Sequence, residues 1–154
     1  MSGLVATAPT TPQQPISSGG WYPQIDPADA RDIMRLDGTV TDARLVECLQ
    51  VAMCSVEDLL ECWQTQQLAL GRTALDQVPS KIVGTESRLV LLYRRAVYAC
   101  AQAELNERYS DVGTTDAARK RAEILDCTAD DYRRTMRFAI RDILGRPRAD
   151  VELI

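Results

Sequence analysis

Four arginines near the end of the chain have the side-chain type and spacing that best suit the binding of an acidic ligand or surface. They are Arg133, Arg134, Arg137 and Arg141. Arg134, Arg137 and Arg141 lie three and four residues apart, and Arg133 lies four residues before Arg137. On a helix, guanidinium groups at this spacing form one charged stripe, which suits contacts with phosphate groups. An interface with an acidic protein surface is the alternative. No asparagine or glutamine lies nearby to read base edges, so sequence-specific DNA recognition is not indicated.

The charge is divided unevenly along the chain. Residues 119–148 hold nine Lys or Arg and five Asp or Glu, a net +4, and because the whole chain carries −4, the remainder carries −8. This asymmetry is expected of a protein with a nucleic-acid-binding face, or of one that meets an acidic neighbour. In a protein that forms rings, that neighbour could be another copy of the same chain.

The sequence lacks the usual residues of metal and enzyme sites. It has no histidine, and no CxxC pair occurs among its cysteines: Cys48, Cys54, Cys62, Cys100 and Cys127. We therefore predict reduced, buried thiols, no metal, no cofactor and no enzymatic activity. No apolar run reaches the roughly 18 residues of a membrane span, and no basic region typical of a signal peptide opens the chain.

The final residues, LGRPRADVELI (144–154), change from a helical pattern to an extended one. Gly145 and Pro147 end the helix. Apolar and acidic residues then alternate with the two-residue period of a strand: Ala149, Asp150, Val151, Glu152 and Leu153. No other segment predicts a strand, and a lone strand is unstable in water, so we predict that this tail adds to an edge or groove of another protein. The alternative is that it folds back on its own helices.

The remainder predicts an all-α fold: a bundle of three long helices plus a short N-terminal helix, with extended arms at both ends. The predicted parts are an N-terminal arm (1–24), a helical bundle (25–145) and a C-terminal docking tail (146–154). Asp26 caps the short helix, with Pro27 in its first turn. The long helices are predicted from Thr41 to about Leu70, from Thr85 to about Tyr109, and from about Thr115 to Leu144.

Apolar residues recur along these helices at intervals of three and four, as expected for faces that pack on a core. In the first long helix they are Leu45, Leu49, Ala52, Val56, Leu60 and Trp63; in the last they include Ala129, Tyr132, Met136, Ala139 and Ile143. The helix between them is apolar nearly all round from Leu89 to Ala101, which predicts a central position. The stripe of the last helix keeps its phase through Thr128, so we predict one continuous helix there.

Two segments carry apolar residues outside these stripes. Trp21 and Tyr22 precede Pro23 and are predicted either to anchor on the protein's own core or to contact a partner. The connection 72–84 is long for a helical bundle. Its apolar residues, predicted either to be exposed for contact or to pack over the bundle, are Leu75, Val78, Ile82 and Val83.

Long runs of the sequence resemble the head completion proteins (the GpL family) of Peduovirus-type temperate tailed phages. These runs are WYPQID, MRLDGTVT, ESRLVLLYRRAVYACAQAELNERYSD and TADDYRRTMRFAIRDILGRPRADVELI. The similarity extends from about Trp21 to Ile154. Residues 72–84 and 116–124 match loosely, and the part before Gly19 is not covered.

The resemblance implies a structural protein at the head–tail junction of the virion, assembled in the host cytoplasm. Its all-α subunits would form a twelve-fold ring beneath the portal, retain packaged DNA and offer a surface for tail attachment. The implied partners are the portal protein, other copies of the chain, and a tail-side connector or tail terminator protein. DNA would pass through the lumen without sequence-specific binding, and no membrane is involved. The residues implied to dock on the portal are Arg146, Pro147, Arg148, Val151, Leu153 and Ile154.

From the residues themselves we add a second predicted surface, for contacts with a neighbouring subunit or connector. It comprises Trp21, Tyr22, Leu75, Val78, Ile82, Arg133, Arg134, Arg137 and Arg141. The alternative function is a small helical nucleic-acid-binding regulator that uses the basic C-terminal helix.

Overall fold

The computed structural model describes residues 13–36, 38, 40–110 and 116–147, with the side chains there except those of 109–110 and 116–127. This part of the chain is mostly helical. Its helices are α1 (Pro27–Ile33), α2 (Asp42–Ala69), α3 (Arg88–Ser110) and α4 (Asp116–Ile143). A small antiparallel sheet pairs β1 (Ile82–Val83) with β2 (Glu86–Ser87), and a 3-10 turn covers Leu75–Gln77.

The first two helices begin where their capping residues predict. The Asp26 carboxylate accepts a hydrogen bond from the Ala28 N–H at 2.8 Å. The Thr41 hydroxyl accepts one from the Arg44 N–H at 3.4 Å. Each cap satisfies an N–H that has no partner inside the helix. Gly71, with φ +80°, follows the end of α2, as expected of the left-handed residue that ends a helix.

The core forms where the apolar faces of α2 and α3 meet. The predicted stripe of α2 is fully buried from Leu45 to Leu60, and Trp63 is partly buried. α3 packs against both α2 and α4, whereas α2 and α4 touch only slightly. The nearly all-round apolar character of α3 therefore matches its central position.

The last helix is continuous through Thr128, as its unbroken stripe predicts. Ala129, Ala139 and Ile143 are buried, while Tyr132 and Met136 are half-buried. The heptad-like spacing of these residues lets one side of α4 pack along α3.

The predicted start of the third helix at Thr85 is wrong, and so is the prediction that no strand precedes the tail. Glu86 and Ser87 pair with Val83 and Ile82 across a two-residue turn in which Gly84 has φ +66°. The helix begins at Arg88 because the Ser87 hydroxyl caps it, accepting a hydrogen bond from the Leu89 N–H at 3.2 Å.

The prediction that all the thiols are buried is also wrong. Cys48 is buried and Cys100 is half-buried, but Cys54 and Cys62 are exposed. Both exposed cysteines lie on the side of α2 opposite to Leu49 and Leu60, which pack on the core. Helical periodicity places residues on that side away from α3.

Candidate interaction surfaces

The end of α4 has a C-terminal cap, after which the chain leaves the helix. The Arg146 N–H donates to the Arg141 carbonyl oxygen at 3.0 Å, and the Gly145 N–H donates to that of Asp142 at 3.4 Å. Gly145 has φ +65°. These two bonds and the left-handed glycine form a Schellman cap, which satisfies carbonyl groups of the last turn. Sequence reasoning predicted this ending from Gly145 and Pro147, and it is confirmed.

The tail beyond this cap lies mostly outside the described residues. Arg146 and Pro147 are exposed where the chain leaves α4. The other four residues of the predicted portal contact, Arg148, Val151, Leu153 and Ile154, lie outside the described residues.

An open groove of about 720 Å³ lies at the same end of the molecule. The C-terminal half of α2, the segment before β1, the start of α3 and the end of α4 all contribute to its wall. Trp63, Leu89 and Leu144 line it, with Gly145 at the point where the tail departs. The Arg88 guanidinium and the Asp142 carboxylate form an ion pair of 3.8 Å that joins α3 to α4 there.

Four exposed apolar side chains follow residues of this groove closely along the chain. Leu68 and Leu70 follow the groove-lining Gln67 and are 49% and 69% exposed; Ile82 and Val83 follow the groove-lining Lys81 and are 67% and 53% exposed. Large apolar side chains left exposed in this number are candidates for contact with a partner. We call these four residues, together with Arg146 and Pro147, the tail-exit surface.

Four residues of the predicted subunit or connector contact lie instead in the core of the same chain. Trp21, Tyr22, Leu75 and Val78 are all at most 8% exposed. The Leu75 N–H donates to the Trp21 carbonyl oxygen at 2.9 Å, and the Trp21 indole N–H donates to that of Arg72 at 3.1 Å. The aromatic segment and the 72–78 connection therefore cover each other, which is the alternative that the sequence left open.

A polar cluster that sequence reasoning missed fixes this aromatic segment to the helices. The Tyr93 hydroxyl donates to the Glu57 carboxylate at 2.6 Å, and the Ser18 hydroxyl donates to the same oxygen. Burial, and after it the hydrogen bond to Glu57, raises the pKa of Tyr93. Burial, with a smaller effect of the Glu57 charge, raises the pKa of Tyr22. No spacing rule links Ser18, Glu57 and Tyr93, because they come from three separate segments.

The arginine stripe of α4 is partly committed to ion pairs within the chain. Arg133 pairs with Glu107 of α3 and, at 3.4 Å, with Asp130. Arg134 pairs with Asp131 at 2.7 Å. Arg137 is exposed, and it has no ion-pair partner within the described ranges. Intramolecular pairing lowers the charge that the stripe can offer to phosphates, so only part of the predicted stripe is available to a partner.

Among the described residues, no group of three or more His, Cys, Asp or Glu side chains is arranged to hold a metal ion. No helix within them is both long enough and apolar enough to span a bilayer.

Exposed apolar side chains at one end and an exposed charged helix face are typical of a structural protein that assembles with others. Comparison with known proteins agrees with this class. The model of the phage head completion protein (GPL) family matches residues 16–154, and the chain belongs to this family. The family resemblance predicted from the sequence is thus confirmed.

A curated relative extends the match over nearly the whole chain. The chain is 37% identical over 151 residues to the head completion/stabilization protein of Escherichia phage P2, covering 98% of this chain and 89% of that protein. No solved structure matches the chain significantly. The protein is therefore a virion component with a structural role in the phage head, and its family is not one of enzymes.

Proposed function

We propose that the protein completes and stabilises the phage head by forming a twelve-fold ring beneath the portal, at the head–tail junction. The ring retains packaged DNA, which passes through its lumen without sequence-specific contacts, and it provides the surface to which the tail attaches. Assembly takes place in the host cytoplasm. Membership of the head completion family and the name of the phage P2 relative support this role.

The observation that carries the proposal is the tail-exit surface. A Schellman cap ends α4 beside an open groove, and the segments next to this groove carry the exposed Leu68, Leu70, Ile82 and Val83. A tail with apolar residues on one side and acids on the other can add to the edge of a partner's sheet or to a groove. We propose that the tail and the β1–β2 hairpin both face the portal.

The opposite end of the molecule is then left for the tail-side connector or tail terminator protein. There the end of α3 approaches the start of α2, and Arg108 pairs with Glu47 at 3.6 Å. Each tail alone binds weakly, because fixing a short segment on a partner costs much of what its burial contributes. Many tails on one ring bind strongly, because each is held near its site once the first has bound.

Deletion of Arg146–Ile154 tests the docking tail. We expect the shortened protein to keep its helical circular dichroism spectrum but to stop co-sedimenting with purified portal. A matched pair of full-length variants then separates the two sides of the predicted strand. Val151→Ala with Leu153→Ala should lose portal binding, whereas Asp150→Ala with Glu152→Ala should keep it. Undiminished binding of the deletion variant would remove the tail from the portal contact.

A further inference from the structure

One side of α2 is uncovered along the middle of the helix. Val51, Cys54, Asp58 and Cys62 follow one another at intervals of three, four and four, so they share one side, and all four are exposed. Leu59 lies beside them and is 55% exposed, while Val51 is 44% exposed. We call these five residues the α2 face. It combines exposed apolar side chains with an acidic centre, and it lies opposite to the residues that pack on α3.

One side of α4 also carries residues at intervals of three and four, and its net charge is positive. Asp130, Arg134, Arg137 and Arg141 follow at intervals of four, three and four, and we call them the α4 face. Its Arg134 is balanced by Asp131 at 2.7 Å, but its Arg137 is not balanced within the described part of the chain. Asp58 of the α2 face likewise has no ion-pair partner there.

We infer that the α2 face of one copy binds the α4 face of the next copy, with Asp58 opposite Arg137. This inference rests on the ring proposed above and names the two surfaces that form it. A ring of identical subunits requires two different, complementary faces on each subunit, because each copy must contact one neighbour on either side. Opposite charges fix the register of such a contact, and Val51 and Leu59 supply apolar area that leaves water on binding.

A second copy is the partner that fits both faces together. The α2 face is apolar and acidic. Because an acidic surface repels phosphates, a nucleic acid is not the partner that this face fits. The charge sums along the sequence, +4 in residues 119–148 and −8 elsewhere, are of opposite sign. This agrees with a contact in which α4 of one copy meets a different segment of the next.

Charge reversal tests the contact. Arg137→Glu and Asp58→Arg each place like charges opposite one another, and each should raise the protein concentration needed for ring assembly by about tenfold or more. The double variant restores opposite charges and should recover assembly. Arg95→Glu is the matched control, because Arg95 is an exposed arginine of α3 that belongs to neither face. Sedimentation velocity and electron microscopy, with and without the portal, report the rings.

Chemical cross-linking supplies an independent measurement. In the Arg137→Cys variant, a short bismaleimide should join the new cysteine to the exposed Cys54 or Cys62 of the next copy and produce a ladder of linked subunits. The same variant with both Cys54→Ser and Cys62→Ser should lose the ladder. Wild-type chains linked from Cys62 to Cys62 would instead show that two α2 faces meet, which would overturn the inference.

The outcomes separate this inference from the proposed function. If the wild type forms rings and all the charge variants form them equally well, the α2–α4 contact is wrong, while the ring and its portal docking stand. If single reversals abolish rings and the double variant fails to recover them, the direct pairing of Asp58 with Arg137 is wrong. If the wild type forms no ring even with the portal, the ring and this contact are overturned together.

Discussion

The Tyr93 hydroxyl donates a hydrogen bond to the Glu57 carboxylate at 2.6 Å and so joins α3 to α2. Ser18 donates to the same oxygen, which fixes the segment before α1 to both helices. Tyr22 stacks on Tyr93 with ring centroids 4.8 Å apart, yet its buried hydroxyl has no hydrogen-bond partner among the described residues. Of these two neighbouring buried tyrosines, Tyr93 therefore has a hydrogen-bond partner for its hydroxyl group and Tyr22 has none in the part of the chain that the structure describes.

Replacing each tyrosine with phenylalanine should separate the contribution of the hydrogen bond to stability from the contribution of the aromatic ring. Tyr93→Phe leaves the half-buried Glu57 carboxylate without one of its donors, so we expect a loss of about 1–3 kcal/mol in the free energy of unfolding. Tyr22→Phe removes a buried hydroxyl that lacks a partner, so it should cause no loss and should raise the free energy of unfolding by up to about 1–3 kcal/mol. Urea denaturation measures both. Equal losses in the two variants would contradict a structural role for the Tyr93–Glu57 bond.

The same two tyrosines should make the protein sensitive to alkali. Burial raises the pKa of both above the ordinary value of 10.0. Above pH 10 the unfolded chain releases these protons while the folded chain keeps them, so stability falls as the pH rises. Below pH 10 both states hold the protons, and these groups cause no change.

The slope of this alkaline loss approaches about 1.4 kcal/mol per pH unit for each tyrosine. Urea midpoints measured between pH 9 and pH 11.5 should therefore fall less steeply for the double variant Tyr22→Phe with Tyr93→Phe than for the wild type. Other groups titrate in this range in both proteins, so the difference between the two slopes isolates the tyrosines. Parallel curves would contradict the raised pKa values.

Local signals predicted the helices well, because each signal acts within a few residues. Asp26 and Thr41 cap their helices directly, and Gly145 ends α4 through hydrogen bonds to the preceding turn. The stripe of α4 predicted its continuity through Thr128, since a slip of one residue, about 100° around the helix, would have moved Ala139 or Ile143 out of the core. The family resemblance rests on long ordered runs and is independent of these local rules.

Tertiary contacts decided what the sequence left open or misread. Thr85 and Glu86 look like a helix start, but Ser87 caps α3, and its hydroxyl also shares a hydrogen bond of 2.7 Å with Ser80. Trp21 faces the core because it forms hydrogen bonds with the backbone of Arg72 and Leu75. A local sequence pattern cannot predict these bonds, since the residues lie about 50 positions apart. For the same reason, the ion pair between Arg133 and Glu107 could not be foreseen from the spacing of α4 alone.

The connection between α2 and α3 should respond to mutation in two opposite ways. Leu75 is 1% exposed, so Leu75→Ala removes a buried side chain and leaves a cavity, and we expect a loss of about 2–5 kcal/mol in the free energy of unfolding. Ile82 is 67% exposed and belongs to the tail-exit surface, so Ile82→Thr, which keeps the β-branched shape, should change stability by less than about 0.5 kcal/mol. Urea denaturation of the two variants, with portal co-sedimentation of the second, separates a core residue from a docking residue. If Ile82→Thr destabilised the protein as much as Leu75→Ala, the hairpin would belong to the core, and it would have to be removed from the proposed portal contact.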